Sequence, residues 1–142
     1  MDGCVFCEML AGRLPASVVF RDGSCTAFMD TDPVNPGHVL VVPNYHAASL
    51  ADLPRDAGAH VFGVGQGVAA ALYGSGLRCE GVNLFLADGE AAGQEVFHVH
   101  LHVVPRFEGD GFGPSFGPEC GHEPDRAELD AAADRVRKAL RV

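Results

Sequence analysis

No run in the 142 residues is apolar for long enough to cross a bilayer. The opening Met1-Asp2-Gly3-Cys4 has no basic stretch and no long apolar core, so a secretory signal is not expected. Basic residues are scarce as well: 10 Lys and Arg stand against 19 Asp and Glu, a net charge of -9. That balance disfavours sliding along DNA and lying on anionic lipid, so neither nucleic acid nor membrane is an expected partner. Lys138 is the single lysine, a compositional habit that carries no functional information. The five cysteines are an odd number, and a secreted disulfide framework usually has an even count in a smaller chain. A cytoplasmic protein is therefore expected.

What is present suits one soluble domain over residues 1–142, with 47% hydrophobic and 20% charged residues. A short helix is expected from Cys4 to Ala11, stopped by Gly12. Ser17–Phe20 and Cys25–Met29 read as strands joined by a turn containing Asp22-Gly23. His38–Pro43 is a third, mostly apolar strand after a Pro-rich loop. Arg55–Tyr73 reads as a helix with Ala57, Val61, Val64, Val68 and Ala71 on one face, despite four internal glycines. Gly81–Ala87 and Phe97–Val104 are two more strands. Residues 108–121 are Gly- and Pro-rich and irregular. A last helix covers about 126–140, opened by Asp125 and Glu128 as a capping box, with Leu129, Ala133, Val136 and Leu140 as its buried stripe. The class is α+β with a mainly antiparallel sheet.

The most informative stretch is Phe97-His98-Val99-His100-Leu101-His102-Val103-Val104-Pro105. Alternation along a strand sends His98, His100 and His102 to one face and Val99, Leu101 and Val103 to the core. Three imidazoles in a row are costly to bury without partners. They can share a metal, or one can act as a nucleophile that its neighbours orient. Cys4 and Cys7 form a C-x-x-C, which fits a redox pair, half a zinc knuckle, or chance; no βαβ pattern of the thioredoxin kind surrounds it.

The run His-φ-His-φ-His-φ-φ, with φ apolar, matches residues 98–104 at every position. In this the chain resembles the histidine-triad superfamily. Cys4-Val5-Phe6-Cys7, Phe28-Met29-Asp30, Pro33 through Pro43 and Ala92-Gly93-Gln94 fall where bacterial members carry similar segments, so the likeness covers about residues 4–107. It implies a five-stranded sheet with a long helix and a C-terminal helix. It also implies a nucleotide hydrolase or transferase, in which His100 attacks the α-phosphorus of a nucleoside phosphoramidate or dinucleoside polyphosphate and a nucleoside monophosphate is released. His102, His38 and Gln94 would bind phosphate oxygens or the leaving group, with backbone amides of residues 93–95, Gly93 and Glu95 included. Asp30 would hold ribose hydroxyls, and Val5, Phe6, Met9, Leu14 and Phe28 would pack on the base. No catalytic metal is required. By the same resemblance Cys4, Cys7, His46 and His98 form a Cys₂His₂ set for structural zinc, and a homodimer is expected. His60 and His122 read as bystanders.

Two departures stand out. Against the family pattern, Ala87 occupies a position usually Asn or Gln, and Glu95 one often Ser or Thr, where a carboxylate would repel an extra phosphate unless it turned outward. Two other readings compete: a metal-dependent hydrolase using the triad as ligands, and a nucleotide-binding module without turnover.

Overall fold

Short β-branched runs pair into one five-stranded antiparallel sheet. In the computed structural model, which describes residues 3–118 and 120–142, its order is β1-β2-β3-β5-β4. The strands are β1 (Val18–Arg21), β2 (Cys25–Met29), β3 (Val39–Pro43), β4 (Gly81–Phe85) and β5 (Leu101–Arg106). Helix α1 spans Val5–Leu10, α2 spans Arg55–Gly74 and α3 spans Arg126–Ala139. Met1 and Asp2 of the opening stretch, and Glu119 of the Gly- and Pro-rich segment, lie outside the described residues. No helix among the described residues is long and apolar enough to cross a membrane. By contacts the chain falls into two compact units, one ending at Gly111 and the other Phe112–Val142.

In the first unit the sheet is covered on both faces, so β3 reads as an unbroken apolar run and all five of its residues are buried. Val61 and Leu72 of α2 pack with Ala27, Val41, Leu101 and Val103 on one face. Phe6 of α1 packs with Phe28, Leu40 and Val42 on the other. The β1–β2 turn is fastened by Asp22, whose Oδ1 accepts the backbone N–H groups of Ser24 and Cys25, both at 2.8 Å. The loop between β2 and β3 is tied to the far end of β5. Asn35 Nδ2 donates to the Pro105 carbonyl at 2.9 Å and to Asp110 at 2.8 Å, and Arg106 grips Asp110 through two 2.7 Å contacts.

The glycines of α2 have separate reasons. A Cβ on Gly65 would lie 2.6 Å from Leu101 Cδ2 and 3.4 Å from Leu84 Cδ2, so this glycine lets the helix sit close on the sheet. Gly63 and Gly67 face open space. The expected helix thus forms because packing outweighs weak propensity.

In the second unit α3 begins with the expected capping box. Asp125 Oδ1 accepts from Glu128 N at 2.9 Å, and Glu128 Oε2 accepts from Asp125 N at 2.8 Å. Its apolar stripe is not buried, contrary to expectation: Leu129, Val136 and Leu140 are 42%, 65% and 59% exposed. A 31-residue unit with one helix has no second layer of its own to wrap a core.

Gly65→Ala should destabilise the protein by about 1–3 kcal/mol, because buried Leu101 has little room to yield. Gly63→Ala should stabilise it by about 0.5–1 kcal/mol. Urea unfolding of both variants checks this; a neutral Gly65→Ala would contradict the close approach.

Candidate active site

The histidine segment is held by backbone groups that fix each ring. Val39 pairs with Val103 and Val41 with Leu101, so continuing the register would bring Pro43 opposite Val99. Proline has no N–H, and the β3–β5 ladder stops at Leu101, later than the expected Phe97. Val99 N donates instead to the Ala47 carbonyl at 2.8 Å. The Pro43 carbonyl accepts from His98 Nε2 at 2.8 Å. A carbonyl only accepts, so neutral His98 carries its proton on Nε2 and keeps a lone pair on Nδ1. His100 Nδ1 donates to the His98 carbonyl at 2.8 Å, which leaves the His100 lone pair on Nε2.

A second chain of hydrogen bonds fixes His102. Val34 N–H donates to His38 Nδ1 at 3.0 Å, so the His38 proton is on Nε2. That nitrogen lies 2.9 Å from His102 Nδ1 and 3.5 Å from Asp30 Oδ2. His102 Nδ1 therefore accepts, and its Nε2 carries the proton. These tautomers are assigned from the partners of each ring. One imidazole thus presents a lone pair and its neighbour presents an N–H, with ring centroids 4.9 Å apart.

Both rings line a cavity of about 370 Å³. Val5, Phe6, Met9 and Phe28 form an apolar wall, Asp30 and Thr31 lie along its edge, and Ala92, Gly93 and Glu95 form a rim. Phe85 and Ala87 complete it. Phe6 meets the His100 ring edge-on at 5.2 Å, while Phe85 stacks flat on His102 at 4.2 Å and 13°. Phe85 had no signal in the sequence; only the register that sets it opposite His102 brings the two rings together.

Three expected site residues sit elsewhere. Leu14 is exposed after α1 and does not line the cavity. His38 is buried behind His102 and touches it, away from the cavity lining. Gln94 is buried, with its Oε1 accepting from Gly89 N at 2.7 Å and its Nε2 donating to Ala48 O at 2.8 Å and Val96 O at 3.1 Å. Its amide shapes the 89–96 loop and has no donor left for a ligand.

Beside the cavity, Cys4, Cys7, His46 and His98 bring one ligand atom each within 4.8 Å of the others. Cys4 Sγ is 3.5 Å and Cys7 Sγ 3.6 Å from His98 Nδ1; Cys7 Sγ is 3.3 Å and His98 Nδ1 3.2 Å from His46 Nδ1. Tetrahedral zinc with ordinary bond lengths places its ligand atoms about 3.3–3.8 Å apart. The His98 lone pair faces inward, because Pro43 takes the other nitrogen. The donor set and spacing fit a closed zinc site. Burial, with the neighbouring Cys4, holds the Cys7 thiol above its ordinary pKa, and a divalent cation would reverse that by stabilising the thiolate. His98 belongs to this group and His102 to another with Asp30 and His38; His100 belongs to neither. Among the described residues the three triad rings do not converge on one metal position.

The HIT domain model matches residues 11–109. An uncharacterized HIT-like protein of Mycobacterium tuberculosis is 39% identical over 96% of this chain and 92% of its own length. A solved zinc-bound histidine triad family protein from Mycobacterium smegmatis superimposes with a TM-score of 0.75 at 40% identity, covering 97% of this chain and 98% of that one. Adenylylsulfatase HINT3 of Arabidopsis thaliana is 33% identical over 77% of this chain, which spans 55% of that protein.

Burial keeps the inner rings uncharged. Desolvation, with the neighbouring His100 and His38, lowers the His102 pKa to about 4, against a small opposing pull from Asp30. Desolvation lowers His38 too, again opposed by Asp30. Between pH 6.5 and about 4 the unfolded chain binds a proton at His102 that the folded chain refuses. Stability should therefore fall as pH drops through that window. Urea midpoints of His102→Gln should fall less steeply than those of the parent; parallel curves would contradict a neutral His102.

Proposed function

Because the chain belongs to the histidine-triad family, defined by the HIT domain, we propose that it cleaves nucleotide derivatives at the α-phosphorus through a nucleotidyl-histidine and releases a nucleoside monophosphate. One observation carries this reading: the His100 Nε2 lone pair is fixed at a cavity of nucleotide-accommodating size by the 2.8 Å bond of its Nδ1 to the His98 carbonyl. The name of the Arabidopsis relative, an adenylylsulfatase, supports reading the cavity as one that takes adenylyl compounds.

In the first step His100 Nε2 attacks phosphorus and the bond to the leaving group breaks. The departing atom takes the electron pair of that bond and a proton from water, while the His102 Nε2–H hydrogen-bonds to it. In the second step water attacks phosphorus, the P–Nε2 bond breaks with its electron pair returning to His100, and the water's proton passes to solvent. Bond making is thereby split into two easier displacements. His38 acts through His102: its Nε2–H hydrogen-bonds the His102 Nδ1 lone pair and so keeps the His102 proton on Nε2, facing the cavity. Asp30 accepts ribose hydroxyls, and Val5, Phe6, Met9 and Phe28 pack on the base. The backbone N–H groups of Gly93 and Gln94 already donate to Glu90 and Gly89 carbonyls, which leaves that of Glu95 for a phosphate oxygen.

Cys4, Cys7, His46 and His98 would hold zinc, which would act as a tie between α1 and the catalytic segment. The purified protein should carry one zinc per chain by elemental analysis. Cys7→Ala should lose it and melt lower by at least about 5 °C; full metal content in that variant would refute the ligand set.

The reaction is tested by following AMP release from adenosine phosphoramidate and, separately, from a diadenosine polyphosphate. His100→Ala should lose at least about 10³-fold in kcat/KM. Equal release by both proteins would overturn the nucleophile. Tight nucleotide binding with no release by the parent would favour a binding module.

A further inference from the structure

The cavity contains an imbalance of charge that bears on the leaving group. Among the described residues no Lys or Arg lines it, and the carboxylates that do are Asp30 and Glu95. His102 is neutral, and the Ala87 side chain carries no polar group. Asp30 is already engaged: its Oδ1 accepts from Asp32 N at 2.9 Å and its Oδ2 lies 3.5 Å from His38 Nε2. The Glu95 carboxylate has no hydrogen bond or ion pair within the described residues. With the base against Phe6 and Phe28 and the ribose at Asp30, the lining left for a leaving group includes Thr31, Phe85, Ala87 and the rim of Ala92, Gly93, Glu95 and Val96. In-line displacement puts the leaving group opposite His100 Nε2, and on these walls the one ionic group it meets is Glu95.

We propose that Glu95 is a specificity-determining residue that selects a leaving amine bearing a second, cationic group, so that the preferred substrates are nucleoside phosphoramidates of diamines or basic amino compounds. This rests on the phosphoryl-transfer reading above. The P–N bond breaks as described, the amine nitrogen takes its electron pair and a proton from water while hydrogen-bonded to the His102 Nε2–H, and the remote ammonium stays paired with Glu95. A polyphosphate places extra negative charge in the same space, with no protein cation to neutralise it and a carboxylate to oppose it.

The test uses three adenosine phosphoramidates of nearly equal length, made from butylamine, 1,4-diaminobutane and 4-aminobutyrate, beside diadenosine tetraphosphate. The parent should favour the diaminobutane compound over the butylamine compound by about three- to tenfold in kcat/KM, the range for an ion pair at a partly solvated rim. The aminobutyrate compound and the tetraphosphate should be the poorest. In Glu95→Gln the amide ratios should collapse towards one, and in Glu95→Lys the order should invert. The parent's preference should also shrink as salt rises, which a merely steric effect would not do. Equal turnover of the three amides by the parent, or a preference retained in Glu95→Gln, overturns the Glu95 proposal and leaves the reaction intact. Tetraphosphate cleavage as fast as the best amide overturns it too. If the parent turns over none of the four, the reaction reading falls and this proposal with it.

Discussion

His98 is used three times, and the site depends on all three uses together. Its Nε2–H is spent on the Pro43 carbonyl, its Nδ1 lone pair turns to the cysteines and His46, and its own carbonyl takes the proton of His100. None of these can change alone. Rotating the ring to reach another partner would strand a buried carbonyl and withdraw a lone pair from the Cys₂His₂ group. The proline that ends β3 begins this arrangement, since an amide N–H at residue 43 would let the ladder continue and draw residues 98–100 into ordinary pairing.

The same logic explains why the imidazoles are buried and yet inexpensive. Each ring nitrogen of His98 and His38 has a partner, and no buried side-chain nitrogen or oxygen among the described residues lacks one. Burial without partners would cost free energy; burial with them fixes tautomers. A ring that could flip between tautomers would spend part of its time with a proton where the nucleophilic lone pair should be. The backbone removes that choice at His98, His100 and His38, and His38 passes it on to His102.

Much of this was legible in the sequence where pattern meets period. Strand β2, the course of α2 and the capping box of α3 followed from alternation, helical spacing and cap chemistry. The histidine alternation and the Cys pair marked the site. What did not follow was anything set by tertiary register or by a backbone group. Phe85 reaches His102 only through the β4–β5 pairing, and the Val34 N–H and Pro43 carbonyl leave no trace in residue identity. Gln94 stood at the right place along the chain, but its buried amide closes its own loop. Leu14 was carried to the base slot by likeness alone, and one turn past α1 it points to solvent. The α3 stripe had the spacing of a buried face with nothing in its unit to bury it.

A chain with net charge -9, and with no Lys or Arg lining its cavity among the described residues, would be an unusual receptor for a phosphorus ester. The neutral donors account for how it can still work. A fixed ammonium or guanidinium would attract the phosphate before reaction nearly as strongly as during it, and uniform binding does not raise kcat. An imidazole N–H and a backbone N–H bind the resting phosphate weakly, and their dipoles are already aimed when charge grows on the equatorial oxygens and the leaving atom. On the proposed reaction, ground-state affinity would then fall to the apolar wall of Phe6 and Phe28 and to Asp30, which would not touch the reacting bond. In this division of labour the absence of cations among the described lining residues would be part of the chemistry, and the Glu95 carboxylate at the rim would read the leaving group.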